Sequence, residues 1–275
     1  MTGRSLYRGM DRAALDVAYN NVKAVADFGA VLTDFQTRSA SVYARHGWRR
    51  NLEYGAGDRQ RFDLACGTGA ADTPTVIYVH GGYWQSLRKE DFAFIAEGPL
   101  AWGLNVILAE YTLAPHASMT QMVGEIGSLL DFVAKHRVAL GVAGGRVSLV
   151  GHSAGAHLSL VHRSHPLLSH TMAISPLVDL EPISLSWLNE KLNLTADEVE
   201  LFSPVRRITK GSETTVVVGL SELPELVRHA DDYAVAIKSA GQGDRYLAFE
   251  GRDHFSILEE LATPTGLLAK TFGQV

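Results

Sequence analysis

The chain has 275 residues, and its 25 Lys and Arg against 30 Asp and Glu give a net charge of −5 at pH 7. Apolar residues make up 46% of the chain and charged residues 20%, which is typical of a folded globular protein and excludes a disordered one. The mild negative charge argues against a nucleic-acid partner, which would require a basic surface, and the single cysteine, Cys66, excludes an internal disulfide.

Residues 1–50 are predicted to form an N-terminal helical arm, because apolar residues recur there at helical spacing. They are Leu15, Ala18, Tyr19 and Val22 in one segment and Phe28, Val31, Leu32 and Phe35 in the next. The start of the chain lacks the apolar core of a signal peptide, and no run approaches the roughly 18 apolar residues of a membrane-spanning helix. We therefore expect a cytoplasmic protein without a membrane partner.

Short runs rich in Val, Ile and Leu then alternate with longer amphipathic segments. The predicted strands are 62–64, 76–79, 105–109, 147–150, 171–174, 215–218 and 245–249, and the predicted helices are 89–101, 119–136, 156–165, 224–240 and 255–261. Strands that are apolar throughout are typical of parallel sheets buried on both faces and joined by helical crossovers. The sequence predicts one α/β domain over residues 1–275, with a mainly parallel central sheet and helices on both faces.

Residues 180–210 interrupt this alternation and are too long for a simple connection. Within them, Thr195 and Glu198 have the spacing of a capping box at the start of a helix. Long excursions in compact domains are often lids or binding loops. We expect a small cap over the C-terminal edge of the sheet; the alternative is a surface helix pair without a role.

The segment Gly151-His-Ser153-Ala-Gly155 has the G-x-S-x-G pattern of a nucleophile elbow. The pattern alone is weak, but here a predicted strand comes directly before it and a predicted helix follows it. This context favours Ser153 as a catalytic nucleophile over an ordinary strand-to-helix turn.

The segment His80-Gly-Gly82-Tyr83-Trp84 follows the predicted strand 76–79. Its glycines free the backbone for close approach, and the N–H groups of Gly82 and Tyr83 could stabilise the oxyanion of acyl transfer. The N–H of Ala154, the residue after the serine, would complete such a hole. The alternative interpretation is a tight turn that merely uses two glycines.

A base should follow the serine in the chain, and His254 lies between the last predicted strand and the terminal helix. The pair His162 and His165 could face one metal, but no third ligand lies at a suitable spacing, so a surface pair is favoured. His152 and His157 are expected to pack or form hydrogen bonds. We therefore expect neither a metal nor an organic cofactor.

The acid that orients the base should lie just beyond the predicted strand 215–218. Glu222 is closest to the strand end, whereas Glu225 opens the next helix, where it could simply stabilise the helix terminus. Asp253 is a weaker third candidate, because neighbouring residues seldom orient a paired imidazole correctly. The sequence favours Glu222 and leaves Glu225 open.

Five segments resemble the kynurenine formamidase, or arylformamidase, branch of the α/β-hydrolases. They are HGGYW at 80–84, GHSAGAHL at 151–158, SPLVDLEPI at 175–183, VVVGLSELPE at 216–225 and DHFSILEEL at 253–261. The resemblance implies an α/β-hydrolase fold with Ser153 as nucleophile, His254 as base and the HGGYW loop as oxyanion hole. The family acid is most often Asp where this chain has Glu222, and the following helix also departs from the family at residues 227–230.

These features together predict a serine hydrolase that cleaves a small formamide or ester with an aromatic portion through an acyl-enzyme. A carboxylesterase of other small-acyl specificity is the first alternative, and a ligand-binding protein without catalysis is the second. Tyr83, Trp84, Trp187 and Phe255 are predicted to bind the substrate's aromatic portion, with core packing as the alternative. The expected partner is a small-molecule substrate, and a homodimer is possible.

Overall fold

The computed structural model describes residues 5–68, 70 and 72–273. Eight strands form one sheet in the order β1-β2-β4-β3-β5-β6-β7-β8. They are β1 (Trp48–Glu53), β2 (Arg61–Ala65), β3 (Thr75–Val79), β4 (Asn105–Ala109), β5 (Val147–His152), β6 (His170–Ile174), β7 (Glu213–Gly219) and β8 (Asp244–Phe249). The six strands β3 to β8 are parallel to one another, whereas β2 pairs antiparallel with both β1 and β4. The predicted mainly parallel sheet is confirmed, with all the predicted strands present.

The prediction of a helical arm over residues 1–50 is wrong at the C-terminal end of this range. Its described helices are α1 (Arg12–Ala18), α2 (Asn21–Ala24) and α3 (Phe28–Arg45), and the edge strand β1 begins at Trp48. Asp11 and Asp27 cap α1 and α3 by accepting hydrogen bonds from the N–H groups of Ala14 and Ala30. Strand β1 was missed because it is largely exposed and charged, as edge strands often are.

The remaining helices follow the predicted order, with shifted ends. They are α4 (Glu97–Ala101), α5 (Met119–Leu140), α6 (Ala154–Val161), α7 (Glu181–Ser184), α8 (Asn189–Leu192), α9 (Ala196–Phe202), α10 (Pro224–Ser239), α11 (Glu259–Ala262) and α12 (Leu267–Gly273). The predicted helix 89–101 is a 3₁₀-helix, Lys89–Ala96, followed by α4, and the predicted helix 255–261 is a 3₁₀-helix, Ser256–Leu258, followed by α11. None of the described helices is long and apolar enough to cross a membrane.

The central strands bury side chains on both faces of the sheet. Ile77 of β3 belongs to a core with Ile126 of α5, whereas the neighbouring Val76 belongs to a second core with Phe35 of α3 and Phe94. Successive residues of a strand point to opposite faces, so helices cover the sheet on both sides. The fully apolar strands recognised in the sequence therefore correspond to a sheet covered on both faces.

Residues 180–210 form three short helices, α7 to α9, and a 3₁₀-helix, Pro204–Arg206. The predicted capping box is present: Thr195 Oγ1 accepts from the N–H of Glu198 at 3.1 Å, and Glu198 Oε2 accepts from the N–H of Thr195 at 3.1 Å. Glu198 Oε1 also accepts from the N–H of Thr120 at 2.9 Å, which ties α9 to the first turn of α5. The Gln85 amide donates to Leu188 O at 2.7 Å, so the segment also contacts the loop after β3.

Candidate active site

Ser153 lies on a sharp turn between β5, which ends at His152, and α6, which begins at Ala154. Its φ of 56° and ψ of −119° place a non-glycine residue in a sparsely populated region of the backbone map. The flanking Gly151 and Gly155 are required sterically, because a Cβ at Gly151 would overlap Gly155 O and one at Gly155 would overlap Val79 O. The turn therefore has the local geometry of a nucleophile elbow.

A cavity of about 70 Å³ lies beside Ser153. It brings together five of the predicted site residues, which are Ser153, His254, Gly82, Tyr83 and Phe255. The other lining residues are Val22, Phe28, Leu32, Phe35, Ser86, Leu87, Phe92 and His152. Most of these side chains are apolar, so the cavity offers a small apolar space next to the serine.

His254 reaches the cavity from the loop that follows β8, and Glu222 contacts its ring. Its Nδ1 lies 2.6 Å from Glu222 Oε2, so Nδ1 carries the proton and donates it to the carboxylate. Nε2 is then the free basic atom of a neutral His254. Within residues 72–273, no hydrogen bond joins the Ser153 hydroxyl to this ring, although both line the same cavity. Catalytic hydrogen bonds are often long before the substrate binds.

Both oxygens of the Glu222 carboxylate are held in place. While Oε2 accepts from His254, Oε1 accepts from Ser175 Oγ at 2.6 Å and from the N–H of Gly219 at 2.8 Å. Ser175 itself has a positive φ of 52° and is fully buried after β6. Sequence analysis did not single out Ser175, although it opens the segment SPLVDLEPI on which the family resemblance partly rests.

The two alternative carboxylates make other contacts. Glu225 Oε2 accepts from Arg228 at 2.6 Å and from Tyr19 Oη at 3.0 Å. Burial alone would raise the pKa of Glu225, but its hydrogen bond and ion pair with Arg228 outweigh burial and lower it. Asp253 Oδ1 accepts from the N–H groups of Phe255 and Ser256 at 2.9 and 2.8 Å and so shapes the turn after His254. Of the three candidates, only Glu222 contacts the imidazole.

The predicted oxyanion loop has an unusual backbone. Gly82, Tyr83 and Trp84 have consecutive positive φ values of 108°, 57° and 59°. Within residues 72–273, the N–H groups of Gly82, Tyr83 and Ala154 donate to no other protein group, and Ala154 is the first residue of α6, where helix N–H groups lack helical partners. Gly82 and Tyr83 line the same cavity as Ser153, and the free N–H of Ala154 lies at the positive end of the α6 dipole.

Several contacts fix the strained part of this loop. The N–H of Ala114 donates to Trp84 O at 2.8 Å, and the N–H of Val22 donates to Tyr83 Oη at 3.2 Å. Burial raises the pKa of Tyr83 to about 12, so this phenol is a neutral hydrogen-bonding group. The surrounding structure thus holds a conformation that is costly in isolation.

The predicted role of Trp84 in substrate binding is wrong. Its side chain is fully buried, lies outside the cavity lining and donates through Nε1 to His157 Nδ1 at 3.2 Å. Trp187 also lies outside this cavity. It packs edge-on against Tyr83, with ring centroids 5.4 Å apart, and lines a neighbouring crevice of about 390 Å³. Tyr83 and Phe255 are therefore the predicted aromatic residues that line the cavity.

Sequence analysis missed the contribution of the N-terminal arm. Phe28, Leu32 and Phe35 of α3 line the cavity, together with Val22 of α2. Their helical spacing was recognised, but spacing alone shows only that one face of the helix is buried, not which element it covers. Residues 180–210, in contrast, contribute no side chain to the cavity lining.

The other histidines have separate structural contacts. His157 Nε2 donates to Phe202 O at 2.7 Å, and burial lowers the pKa of His157 to about 4, as expected for a packing residue. His162 contacts Val123 O at 2.8 Å, whereas His165 lies 3.1 Å from Asp131. In the part of the chain that the structure describes, no group of three or more His, Cys, Asp or Glu side chains is placed to hold a metal.

Comparison with known proteins identifies relatives that match about four fifths of the chain. Residues 63–166 match the family model described as BD-FAE. The chain is 30% identical to kynurenine formamidase from Danio rerio over 236 residues, covering 80% of this chain and 79% of that protein. It is also 30% identical to kynurenine formamidase from Salmo salar over 245 residues, covering 82% of each.

Solved structures with the same architecture include a protein from Silicibacter sp. TM1040 that is described as a candidate thioesterase. It has a TM-score of 0.82 and 28% identity, covering 94% of this chain and 98% of that one. A thermostable carboxylesterase from a metagenomic library has a TM-score of 0.74 and 20% identity, covering 89% and 95%. The second likeness shows the fold alone. The chain is an enzyme that hydrolyses formamides or esters of small molecules, and it belongs to the kynurenine formamidase family of α/β-hydrolases.

Proposed function

We propose that the protein is a serine hydrolase that cleaves a small formamide or ester with an aromatic portion, through Ser153, His254 and Glu222. The observation that carries this proposal is the 2.6 Å contact between His254 Nδ1 and Glu222 Oε2 in a ring that lines the same cavity as Ser153. That contact leaves His254 Nε2 as the atom able to accept the serine proton.

In the proposed mechanism, Ser153 Oγ attacks the carbonyl carbon of the substrate while His254 Nε2 takes its proton. Glu222 keeps Nδ1 protonated and stabilises the imidazolium. The N–H groups of Gly82, Tyr83 and Ala154 stabilise the oxyanion. When the C–N or C–O bond breaks, His254 returns the proton to the leaving amine or alcohol.

Water then attacks the acyl group on Ser153, and His254 accepts a proton from that water. The C–O bond to Ser153 breaks, Oγ regains its proton from His254, and a carboxylic acid leaves as its anion. Formate is the product if the acyl group is formyl. Each of these steps uses groups of the chain, the substrate and water.

The cavity dimensions favour a small acyl group. Ligand pockets for drug-sized molecules measure roughly 300–1,000 Å³, whereas the cavity at Ser153 measures about 70 Å³. A formyl or acetyl group suits this space, and a long acyl chain does not. The aromatic portion of the substrate would then extend past Tyr83 and Phe255, whose rings suit stacking contacts.

A carboxylesterase of other small-acyl specificity is the second candidate, because a small cavity beside Ser153 would also accept other short acyl groups. A ligand-binding protein without catalysis is less well supported, because Ser153, His254 and Glu222 and the free N–H donors are all present. The residues 180–210 are proposed as a cap, since Trp187 packs on Tyr83 of the oxyanion loop. The cytoplasmic location and the homodimer stay predictions.

A turnover panel tests the proposed function. It would compare N-formylkynurenine, aryl esters of formate, acetate and butyrate, and an aryl carbamate. We expect N-formylkynurenine and the shortest acyl esters to react fastest, with a clear fall at butyrate. Fast turnover of butyrate esters with an inert formamide would favour the carboxylesterase, and no turnover of any compound would favour a binding protein.

A further inference from the structure

We propose that a second cavity, at the end of the sheet opposite to Ser153, binds a small organic phosphate. This cavity measures about 360 Å³ and lies where the central parallel strands begin. Arg146, Ser148, His170 and Arg245 line it, and we call it the arginine cavity. Ser148 precedes Ser153 by five residues along β5, which is about 16 Å in an extended strand. The proposed site is therefore separate from the catalytic one and does not depend on the proposed function.

The floor of the arginine cavity is one face of the sheet. Strand register places Ser148, His170 and Glu213 side by side near the start of β5, β6 and β7. Arg245 of β8 faces the same way, because its partner Thr215 lies two residues after Glu213. Two residues further along these strands, the same face carries apolar side chains of the core, which are Val150, Met172, Val217 and Leu247. The polar residues therefore interrupt an otherwise apolar face, and they line a cavity where core side chains would be expected.

Three side chains of this cavity have donors that the protein does not use. In the described parts of residues 72–273, no acceptor contacts the Arg245 guanidinium, and the Ser148 hydroxyl makes no hydrogen bond. Arg146 uses one N–H, which lies 3.2 Å from Glu213 Oε2. The Glu213 side chain is 78% exposed, so this ion pair is a weak surface contact. Two guanidinium groups against one carboxylate give the described lining a net positive charge.

The ring of His170 shows that both guanidinium groups act on the same space. Burial has the largest effect and lowers the pKa of His170 to about 4. The charge of Glu213 opposes this shift, whereas the charges of Arg146 and Arg245 both add to it. The imidazole is therefore neutral at pH 7, and its Nε2 lies 2.9 Å from Thr215 Oγ1. A bound anion would offset the charges of the two arginines, so the cavity favours a negative ligand over a cation.

The donors and walls of the arginine cavity suit an organic phosphate. The planar guanidinium of arginine binds phosphate through two parallel hydrogen bonds. Arg146, Ser148 and Arg245 match the three terminal oxygens of a phosphate monoester, whereas a carboxylate has only two oxygens. Pro74 and Phe272 supply an apolar wall for the organic group. The volume of about 360 Å³ also lies within the roughly 300–1,000 Å³ that is typical of small-molecule sites.

Calorimetric titration of the full-length protein tests the ligand class. The probes are phenyl phosphate, inorganic phosphate and benzoate, at constant ionic strength in sodium chloride. We expect saturable binding of phenyl phosphate, weaker binding of inorganic phosphate, and an affinity for benzoate at least about tenfold below that for phenyl phosphate. Equal affinity for benzoate would overturn the assignment to phosphates, and tighter binding of inorganic phosphate would overturn the assignment to an organic one. Absence of saturable binding of either phosphate would overturn the site.

Variants of the lining arginines test where the ligand binds. Arg146→Gln and Arg245→Gln each remove one charge from an exposed residue, so we expect both proteins to fold. Each should weaken the binding of phenyl phosphate by about 10- to 100-fold, the expected loss of a charge-assisted hydrogen bond. Arg207→Gln, on an exposed arginine outside the cavity lining, is the matched control and should bind like the wild type. Wild-type affinity in both Arg146→Gln and Arg245→Gln, with unchanged melting temperatures, would overturn the inference.

This design also separates specific binding from the general effect of phosphate salts. Exclusion of phosphate from protein surfaces stabilises folded proteins without saturation, and it should do so equally in all these variants. Support for the site therefore requires saturable binding that Arg245→Gln weakens and Arg207→Gln does not. A wild-type protein that binds phenyl phosphate in this way but hydrolyses no substrate would reject the proposed function and leave the phosphate site in place.

Discussion

Glu222 holds the ring of His254, and substitution can separate its role from that of the neighbouring carboxylate Glu225. Glu222→Gln keeps the size of the side chain but removes the charge beside Nδ1. By analogy with the acid of serine proteases, we expect kcat to fall by up to about 10⁴-fold. Glu225→Gln is the matched control: it loses its contacts with Arg228 and Tyr19 and should cost about 1 kcal/mol of stability with little loss of kcat. Measurement of kcat and melting temperature for both variants checks this, and loss of activity only in Glu225→Gln would show that the acid is wrongly assigned.

The positions of individual site residues could be predicted in part from the sequence. The placement of Ser153 and His254 at one cavity was predictable, because each follows a strand whose C-terminal end meets the same edge of a parallel sheet. Glu222 was preferred over Glu225 on its distance from the strand end, and the structure brings Glu222 to His254. Trp84 was misassigned because neighbours in sequence were assumed to face one space. The positive φ values along the loop instead place Tyr83 at the cavity and Trp84 in the core.

Among the elements, α3 has an unexpected place in the site, because three of its apolar side chains line the cavity. Leu32 is only partly buried, so Leu32→Ala should enlarge the cavity at modest cost in stability. A pocket gains or loses roughly 10- to 200-fold in discrimination per methylene. We expect the ratio of kcat/KM for butyryl over acetyl esters to rise by about tenfold. Leu267→Ala, on an exposed leucine of α12, is the control and should leave this ratio as it is in the wild type. If Leu32→Ala also leaves the ratio as it is, the arm does not limit the size of the acyl group.

Helix and strand boundaries that depend on local hydrogen bonds could be predicted from the sequence, whereas those that depend on long-range contacts could not. The capping box at Thr195 was predictable because its hydrogen bonds are local to four residues. The strand β1 was not, because its stability comes from antiparallel pairing with β2, a long-range contact that its charged sequence does not reveal. The start of α6 at Ala154, two residues before the predicted helix 156–165, follows from the tight turn at Ser153.

On the scale of the whole molecule, the buried His229 of α10 connects this helix to two other parts of the chain. These are the N-terminal arm and the segment that follows β6. The N–H of Val178 donates to His229 Nδ1 at 2.9 Å, so Nε2 carries the proton and donates to Tyr19 Oη at 3.0 Å. Burial, with a smaller contribution from Arg228, lowers the pKa of His229 to about 3. The folded protein therefore keeps His229 neutral under conditions in which the unfolded chain protonates it.

This difference makes stability depend on pH in a defined direction. An unfolded histidine has a pKa of about 6.5, so the unfolded state binds more protons as pH falls from about 6.5 to about 3, and the folded state becomes less stable. Between pH 7 and pH 5, His229 alone should remove about 2 kcal/mol of unfolding free energy. Urea unfolding at both pH values checks this: His229→Gln should lose about 2 kcal/mol less than the wild type, whereas His116→Gln should match the wild type. An equal loss in all three proteins would contradict the assigned neutral state.

The α/β architecture was predictable because strands buried on both faces are apolar throughout, and the helical crossovers between them are long enough to be recognised. The enclosure of the site was not predictable, because it depends on which face of the arm packs over the loop after β3. Residues 180–210 pack beside that loop, whereas α3 closes the cavity itself. The family resemblance predicted a hydrolase of formamides or esters, and the tertiary packing determines how much space lies beside Ser153.

The central claim is that Ser153 is the nucleophile, and covalent labelling tests it most directly. The wild-type protein and Ser153→Ala would be treated with a small alkyl fluorophosphonate, and each would be analysed by intact mass and peptide mapping, with melting temperature as a check on folding. We predict a single adduct on Ser153 in the wild type, no adduct in a folded Ser153→Ala protein, and loss of turnover by several orders of magnitude in that variant. An adduct on another residue, or a Ser153→Ala protein that keeps more than about a tenth of the wild-type rate, would contradict the account.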